Sequence, residues 1–398
     1  MISGVTGRRA EARRRLKSAP QLIWILLPAA LLAQGYLSTL PLDHPAIQYA
    51  SAPLDNPVER LRPKLPVNLP ELLASLDINQ DTQALVFSKT SFQGTKIGPR
   101  NPRAIYFNDE VAVGWVPGGD GMEVAVSDPR QGTIFYTFNT APPTLTRRED
   151  CVHCHHGAST MGVPGMFVGS VFPDASGAPA RTAAIITDHR TPFADRWGGW
   201  YVTATHGEQR DRANAVAPDP AEPLVLATVG RQNLRSLTRE FDVTKYLAQT
   251  SDIVALMTFE HQTQIANLIT RLGWDVRMGP PLDADLKATA DYMLFAGEAP
   301  LPEPIEGVST FTATFPQRGP RDRKGRSLRD FDLRTRLFRY PLSYMIYSRA
   351  FDALPASVKD PLYRKLYDSL ATAGRRDIIE ILRDTKSSLP SYWREPAE

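Results

Sequence analysis

Both cysteines of this 398-residue chain fall in one segment, Cys151-Val152-His153-Cys154-His155. This is the C-x-x-C-H arrangement of covalent c-type haem attachment. Two thiols three positions apart reach the two vinyl groups of one porphyrin, and the histidine that follows is directed to the iron from one face. Other readings of the same residues demand more. A redox dithiol needs a βαβ setting, which the flanks lack. A zinc site built from Cys151, Cys154 and two of His153, His155 and His156 crowds its ligands together, with no second knuckle elsewhere. A disulfide between Cys151 and Cys154 closes a very small, strained loop. The spacing therefore points to one covalently attached haem c, with Cys151 and Cys154 as thioether attachments and His155 as the proximal iron ligand.

The sixth position on the iron decides the chemistry. A strong second protein ligand makes an electron carrier, whereas an open position admits peroxide or another small ligand. His206, in Thr205-His206-Gly207 after the strand-like Trp200 to Thr203, is the favoured distal ligand. His189 stands beside Asp188, which could orient its ring. Met257 and His261 are one helical turn apart, and Met161 and Met166 lie on a glycine-rich loop near the motif. Against all of these stands the observation that a lone histidine is more often a hydrogen-bonded structural residue. His156 directly follows the proximal ligand and cannot reach the same iron from the same face. Trp197 and Trp200 flank Gly198-Gly199, so they either cover the macrocycle or fill the core. Arg196 and Arg181 are candidate partners for the haem propionates, since a guanidinium matches a carboxylate bidentately.

These residues need elements to position them. Residues 1–37 read as an export signal or N-terminal membrane anchor: a basic stretch ending at Lys17, an apolar run from Leu22 to Leu32, then small residues at Ala33 and Gly35. Pro28 and Gln34 interrupt a run that is short for a bilayer span, so cleavage and retention both fit. A proline-rich linker follows over 38–68. An α+β body then divides into a haem-bearing region, 69–240, and a mostly helical region, 241–398. In the first, a short helix is expected over Leu69 to Leu76 and a strand over Ala84 to Phe87. Alternation predicts a hairpin from Arg103–Phe107 and Val111–Trp115 around Asn108-Asp109, and a second from Met122–Val126 and Gly132–Phe138. In the second, helical spacing predicts Asp252 to Leu272 and Asp283 to Phe295, with closing helices over Pro341 to Leu354 and Pro361 to Leu370.

Charge is unevenly placed. The formal +3 of the chain hides +5 in the first 35 residues, so the remainder is slightly acidic and has no general attraction for nucleic acid. The stretch from Arg318 to Arg339 is locally basic, nine cations against Asp322, Asp330 and Asp332. It is either a docking face for an acidic redox partner or membrane, or a solvated face paired with acids elsewhere. A 42% hydrophobic chain with 22% charged residues is neither disordered nor polytopic. No phosphate-binding G-x-x-x-x-G-K, no G-x-S-x-G elbow and no H-E-x-x-H pair is present.

Residues 84–205 resemble a group of exported bacterial mono-haem proteins that contain a cytochrome c domain. The resemblance is carried by Phe87-Ser-Lys-Thr90, Pro102-Arg-Ala-Ile-Tyr-Phe-Asn-Asp109, Val113-Gly-Trp115, Gly162-Val-Pro-Gly-Met166 and Arg196-Trp-Gly-Gly-Trp-Tyr-Val202, with Glu260-His-Gln262 and Gly325-Arg-Ser-Leu-Arg-Asp330 further on. It implies one haem, a periplasmic location and an electron-transfer or oxidoreductase role. It brings no settled substrate. With the N-terminal reading, the protein is expected to be soluble after signal cleavage or anchored to the inner membrane, and a redox partner protein is expected. The expected function is electron transfer, with a haem enzyme of peroxidase-like or other small-molecule type, or a haem subunit or sensor of an envelope complex, as alternatives.

Overall fold

The structure, a computed structural model, describes residues 56–180, 184–278 and 283–394. The segment read as an export signal or anchor, most of the segment read as a linker and Arg181 lie outside the described residues. Asn68 caps the first helix, α1 (Leu69–Ser75), by accepting from the Glu71 backbone N–H, and Pro70 is tolerated in its first turn. Six strands follow: β1 (Ala84–Val86), β2 (Arg103–Phe107), β3 (Val111–Trp115), β4 (Met122–Asp128), β5 (Gly132–Thr140) and β6 (Pro143–Arg147). All pair antiparallel with their sequence neighbours. The first expected hairpin forms because Asn108 Oδ1 accepts from the backbone N–H groups of Glu110 and Val111 at 2.9 and 2.8 Å, closing the turn.

After the one-turn helix α2 (Val152–His155) come β7 (Val168–Ser170), β8 (Ile185–Thr187), β9 (Trp200–Tyr201) and β10 (Ala204–Thr205). β9 pairs with β1 and completes a seven-stranded antiparallel sheet of order β6-β5-β4-β3-β2-β1-β9. The rest is mostly helical: α3 (Ile253–Met278), α4 (Asp283–Met293), the two-residue β11 (Glu306–Gly307), then α5 (Phe311–Thr314), α6 (Arg349–Asp352), α7 (Ala356–Thr372) and α8 (Arg376–Thr385). The expected helix over Pro341 to Leu354 is only a 3-10 turn and the short α6. Pro361 lies inside α7, which starts earlier, after Pro355.

The sheet has two faces of different chemistry. Leu85, Ala104, Tyr106, Val113, Val124 and Tyr136 point to a core closed by α1 and by Leu237, Phe241 and Tyr246. The opposite face meets α3, with the Phe107 and Phe259 rings 4.7 Å apart, in a core that continues through α4, α7 and α8. The described residues of both regions thus belong to one compact unit, Pro41–Glu398. α3 is buried almost all round, so its polar side chains must be satisfied internally. Glu260 pairs with Arg196 at 3.3 Å, Gln262 accepts from the Tyr344 hydroxyl, and Asn267 Nδ2 donates to the Met166 carbonyl at 2.8 Å. No described helix is long and apolar enough to cross a membrane.

Candidate functional site

The C-x-x-C-H segment sits where β6 ends. His155 N–H donates to the Cys151 carbonyl at 3.1 Å, which winds the segment into the single turn α2 and places both cysteines and His155 beside the sheet. Both cysteines are free, Cys151 half-buried and Cys154 exposed. Burial pushes the Cys151 thiol up to about 11, with the Asp150 carboxylate adding to it, so the sulfur is protonated at neutral pH.

The loop after α2 then folds back over the histidine. Gly165 N–H donates to the His155 carbonyl at 2.8 Å, and His155 Nδ1 donates to the Gly165 carbonyl at 2.9 Å. A carbonyl oxygen only accepts, so the proton is on Nδ1 and the Nε2 lone pair, which makes no hydrogen bond, is left for another partner. Burial lowers the pKa of His155, opposed by the bond to Gly165, which keeps the ring neutral. Phe135 and Phe167 hold the ring at centroid distances of 4.9 and 5.3 Å. Gly165 is glycine for lack of room: a Cβ there would lie 2.0 Å from Asn267 Oδ1 on α3.

Cys151, Cys154 and His155 open into one cavity of about 500 Å³ between this loop and the sheet. Its floor follows from strand register. Phe107, Ala112, Ala125 and Phe135 form one cross-strand row, and Ile105, Gly114, Glu123 and Thr137 form the next. Ala112, Gly114 and Ala125 stop short of the α3 side and leave the volume open. Phe259, Met166 and Phe167 close the apolar end. At the other end stand two ion pairs, Arg103 with Glu123 at 2.7 Å and Arg148 with Asp150 at 2.5 Å.

The structure brings together the three motif residues and separates them from most other expected partners. His206 does not line the cavity: it is buried elsewhere, its Nε2 accepting from Asn233 N–H at 3.3 Å and lying 3.5 Å from Asp211 Oδ2. It is a loop-bracing residue, placed by local hydrogen bonds of the kind a lone histidine commonly makes. His189 and His261 are buried against each other, Nδ1 to Nδ1 at 2.9 Å, with His261 Nε2 on Ser343 Oγ at 2.8 Å, also away from the cavity. Met257 is in the core, and Met161 Sδ accepts from Gln264.

Trp197 and Trp200 are core residues, not cover for the cavity. The glycines between them serve close backbone packing, since a Cβ at Gly198 would lie 2.0 Å from the Val171 carbonyl oxygen. Arg196 is spent on Glu260 and on the His189 carbonyl. The crowded zinc arrangement does not form: His153, His155 and His156 turn to three different carbonyls, those of Asp150, Gly165 and Gly162. Among the described residues no group of three or more His, Cys, Asp and Glu side chains is placed to hold a metal ion. The basic stretch is largely paired, Arg318 with Asp77, Arg323 with Asp384, Lys324 with Glu380, Arg329 with Asp109 and Arg336 with Glu298.

Sequence reasoning missed Arg103, Glu123 and Arg148. Glu123 and Ala125 occupy the polar positions of an alternating strand, which read as a solvent face, and nothing local says that a loop will roof them. Compared with known proteins, the chain matches no family model, no curated protein and no solved structure.

Proposed function

We propose that the protein is an exported mono-haem c-type redox protein whose cavity holds one haem, joined to Cys151 and Cys154 and bound through His155 Nε2. The observation that carries this reading is the meeting of two free thiols and one unspent imidazole nitrogen in a single cavity, apolar at one end and charged at the other. A porphyrin has the same division between macrocycle and carboxylates, and the volume is within the usual range for a cofactor site of roughly 300–1,000 Å³.

Bound there, the haem supplies one-electron redox chemistry. The chain's own residues do the rest. Gly165 fixes the tautomer and orientation of His155, and its carbonyl raises the basicity of Nε2. Phe135, Phe167 and Phe259 exclude water from the apolar end, which sets the dielectric around the redox centre. Arg148, held by Asp150, offers a guanidinium at the open end, where a porphyrin carboxylate finds a hydrogen-bonding partner. The function is electron exchange with a partner protein in the periplasm, the basic N-terminal segment serving as export signal or anchor.

The test is the pyridine haemochrome spectrum of the protein produced in a periplasm that attaches haem c, followed by a redox titration. The expected result is one haem per chain with the band position of two thioether links, shifted to that of one link in Cys151→Ala. Absence of covalent haem in the exported wild type refutes the reading.

A further inference from the structure

The cavity has two unlike walls. One is His155 with the loop 157–167, which carries Gly165, Met166 and Phe167. The other is the sheet, where Arg103 and Glu123 stand over Gly114: a Cβ at Gly114 would lie 3.4 Å from Glu123 Oε2 and 3.5 Å from Arg103 Cδ. Glu123 has both oxygens engaged, Oε2 by Arg103 Nη1 at 2.7 Å and Oε1 by the Ser91 hydroxyl at 3.1 Å. It is therefore a fixed counter-ion that holds the arginine in place. Arg103 spends Nη1 on Glu123, its Nε is buried away from the cavity, and Nη2 makes no hydrogen bond.

We propose that Arg103 is the recognition residue for a small anion that the haem iron would take, so that its ligand beyond His155 is external and not a side chain, and the haem that exchanges electrons with a partner is also open to a small ligand. The inference rests on the haem reading. Its ligand class is a compact anion with one atom for the metal and an acceptor for the guanidinium, as in azide, nitrite or hydroperoxide. Two observations converge on it. Apart from the motif residues, the cavity lining offers one soft iron ligand, Met166, and that residue belongs to the loop on His155's own side; no second histidine lines the cavity. The sheet wall instead presents a guanidinium preoriented by Glu123 with its Nη2 donors unspent, which an anion uses more than a neutral ligand does.

The experiment is an optical titration of the haem-loaded ferric protein with azide and, separately, with neutral imidazole, for the wild type, Arg103→Gln and Arg103→Lys. The haemochrome is measured first, so that a chain without covalent haem refutes the haem reading itself and this inference with it. The wild type is expected to be high-spin and to bind both ligands. Arg103→Gln is expected to weaken azide about tenfold or more while moving imidazole less than about twofold, because a charge-assisted hydrogen bond is lost. Arg103→Lys, which keeps the charge without the fork, is expected to fall between. A low-spin wild type that ignores azide overturns the proposal with the haem reading intact. So does an equal loss of both ligands, or a shift in midpoint potential with azide affinity unchanged, which would place Arg103 on a haem propionate.

Discussion

Gly165→Ala tests how the fold aims His155 without touching any donor atom. Gly165 has no positive φ, so alanine suits its backbone, and the change should gain about 0.4–1 kcal/mol from the unfolded chain. The added Cβ, however, would lie 2.0 Å from Asn267 Oδ1 and 3.1 Å from Thr160 Cβ, where ordinary contact begins near 3.4 Å. The Asn267 side chain, at the expense of its bond to the Met166 carbonyl, or the loop must yield by about 1.4 Å, an overpacking cost of about 1–3 kcal/mol. The net expectation is a loss of about 1–2 kcal/mol, a few degrees in Tm for a body of this size. The loop carries the carbonyl that holds His155 Nδ1 at 2.9 Å, so the displacement should also weaken the axial bond, seen as a changed spin state or midpoint potential in the haem-loaded protein. Asn267→Ala alone should cost about 1 kcal/mol through its lost bond to the Met166 carbonyl, yet it removes the clash. Thermal melts of both single variants and the double therefore close a cycle whose coupling is about 1–2 kcal/mol in the rescuing direction. Additive losses, or a Gly165→Ala protein equal to wild type in melt and spectrum, would refute the account of how the loop positions His155.

The same geometry fixes four further outcomes. His206→Ala should leave the haem absorption spectrum unchanged, since His206 does not line the cavity; loss of a low-spin band would contradict this. In haem-free protein near pH 8, iodoacetamide should label the exposed Cys154 well before Cys151, whose thiol is pushed up to about 11, and in haem-loaded protein mass spectrometry should find neither labelled. Gly198→Ala should cost about 3 kcal/mol or more in denaturant melts, because its Cβ meets the fixed backbone oxygen of Val171 at 2.0 Å. Burial raises Glu260 to about 7, against the opposing pull of Arg196, so native protein holds that proton above the unfolded pKa. Stability from this group is complete below about pH 4.5 and is lost as pH rises toward 7; Glu260→Gln should remove that slope, and a wild-type-like pH profile in the variant would contradict the assignment.

What could be read from the chain depended on whether the determining contacts were local. The hairpins were legible because alternation and Asn108 act within a few residues, and the meeting of Cys151, Cys154 and His155 at one cavity because they are adjacent in sequence. β9 was not, since two residues carry no period and its pairing of Tyr201 with Leu85 spans more than a hundred positions. Pro361 looked like a helix start, although Pro355 already begins α7. His206 had the right type and an open spacing, yet the Asn233 N–H claims its Nε2. Arg103 and Glu123 were hidden for the opposite reason: as alternating strand residues they look solvated until distant segments, among them residues 90–93 with Ser91 on Glu123, close the cavity around them.

The sheet explains why so large a body surrounds one short motif. Alternate residues of the strands serve the two faces, so the face toward α3 packs under the helix through Phe107 and still leaves a 500 Å³ hollow beside it. Here the reverse face carries Tyr106, Val113, Val124 and Tyr136 into a packed core, so the front face is free to hold Ala112, Gly114 and Ala125 at its centre. Helix α3 then fixes the roof from behind, through Asn267 to the Met166 carbonyl and Phe259 against Phe107. Filling the hollow from the floor should therefore spare the fold and abolish the site. Ala125→Leu projects into open volume and not into the core, so it should melt near the wild type while losing covalent haem. A variant that instead unfolds would show that the floor is part of the core and that the cavity is not a cofactor site.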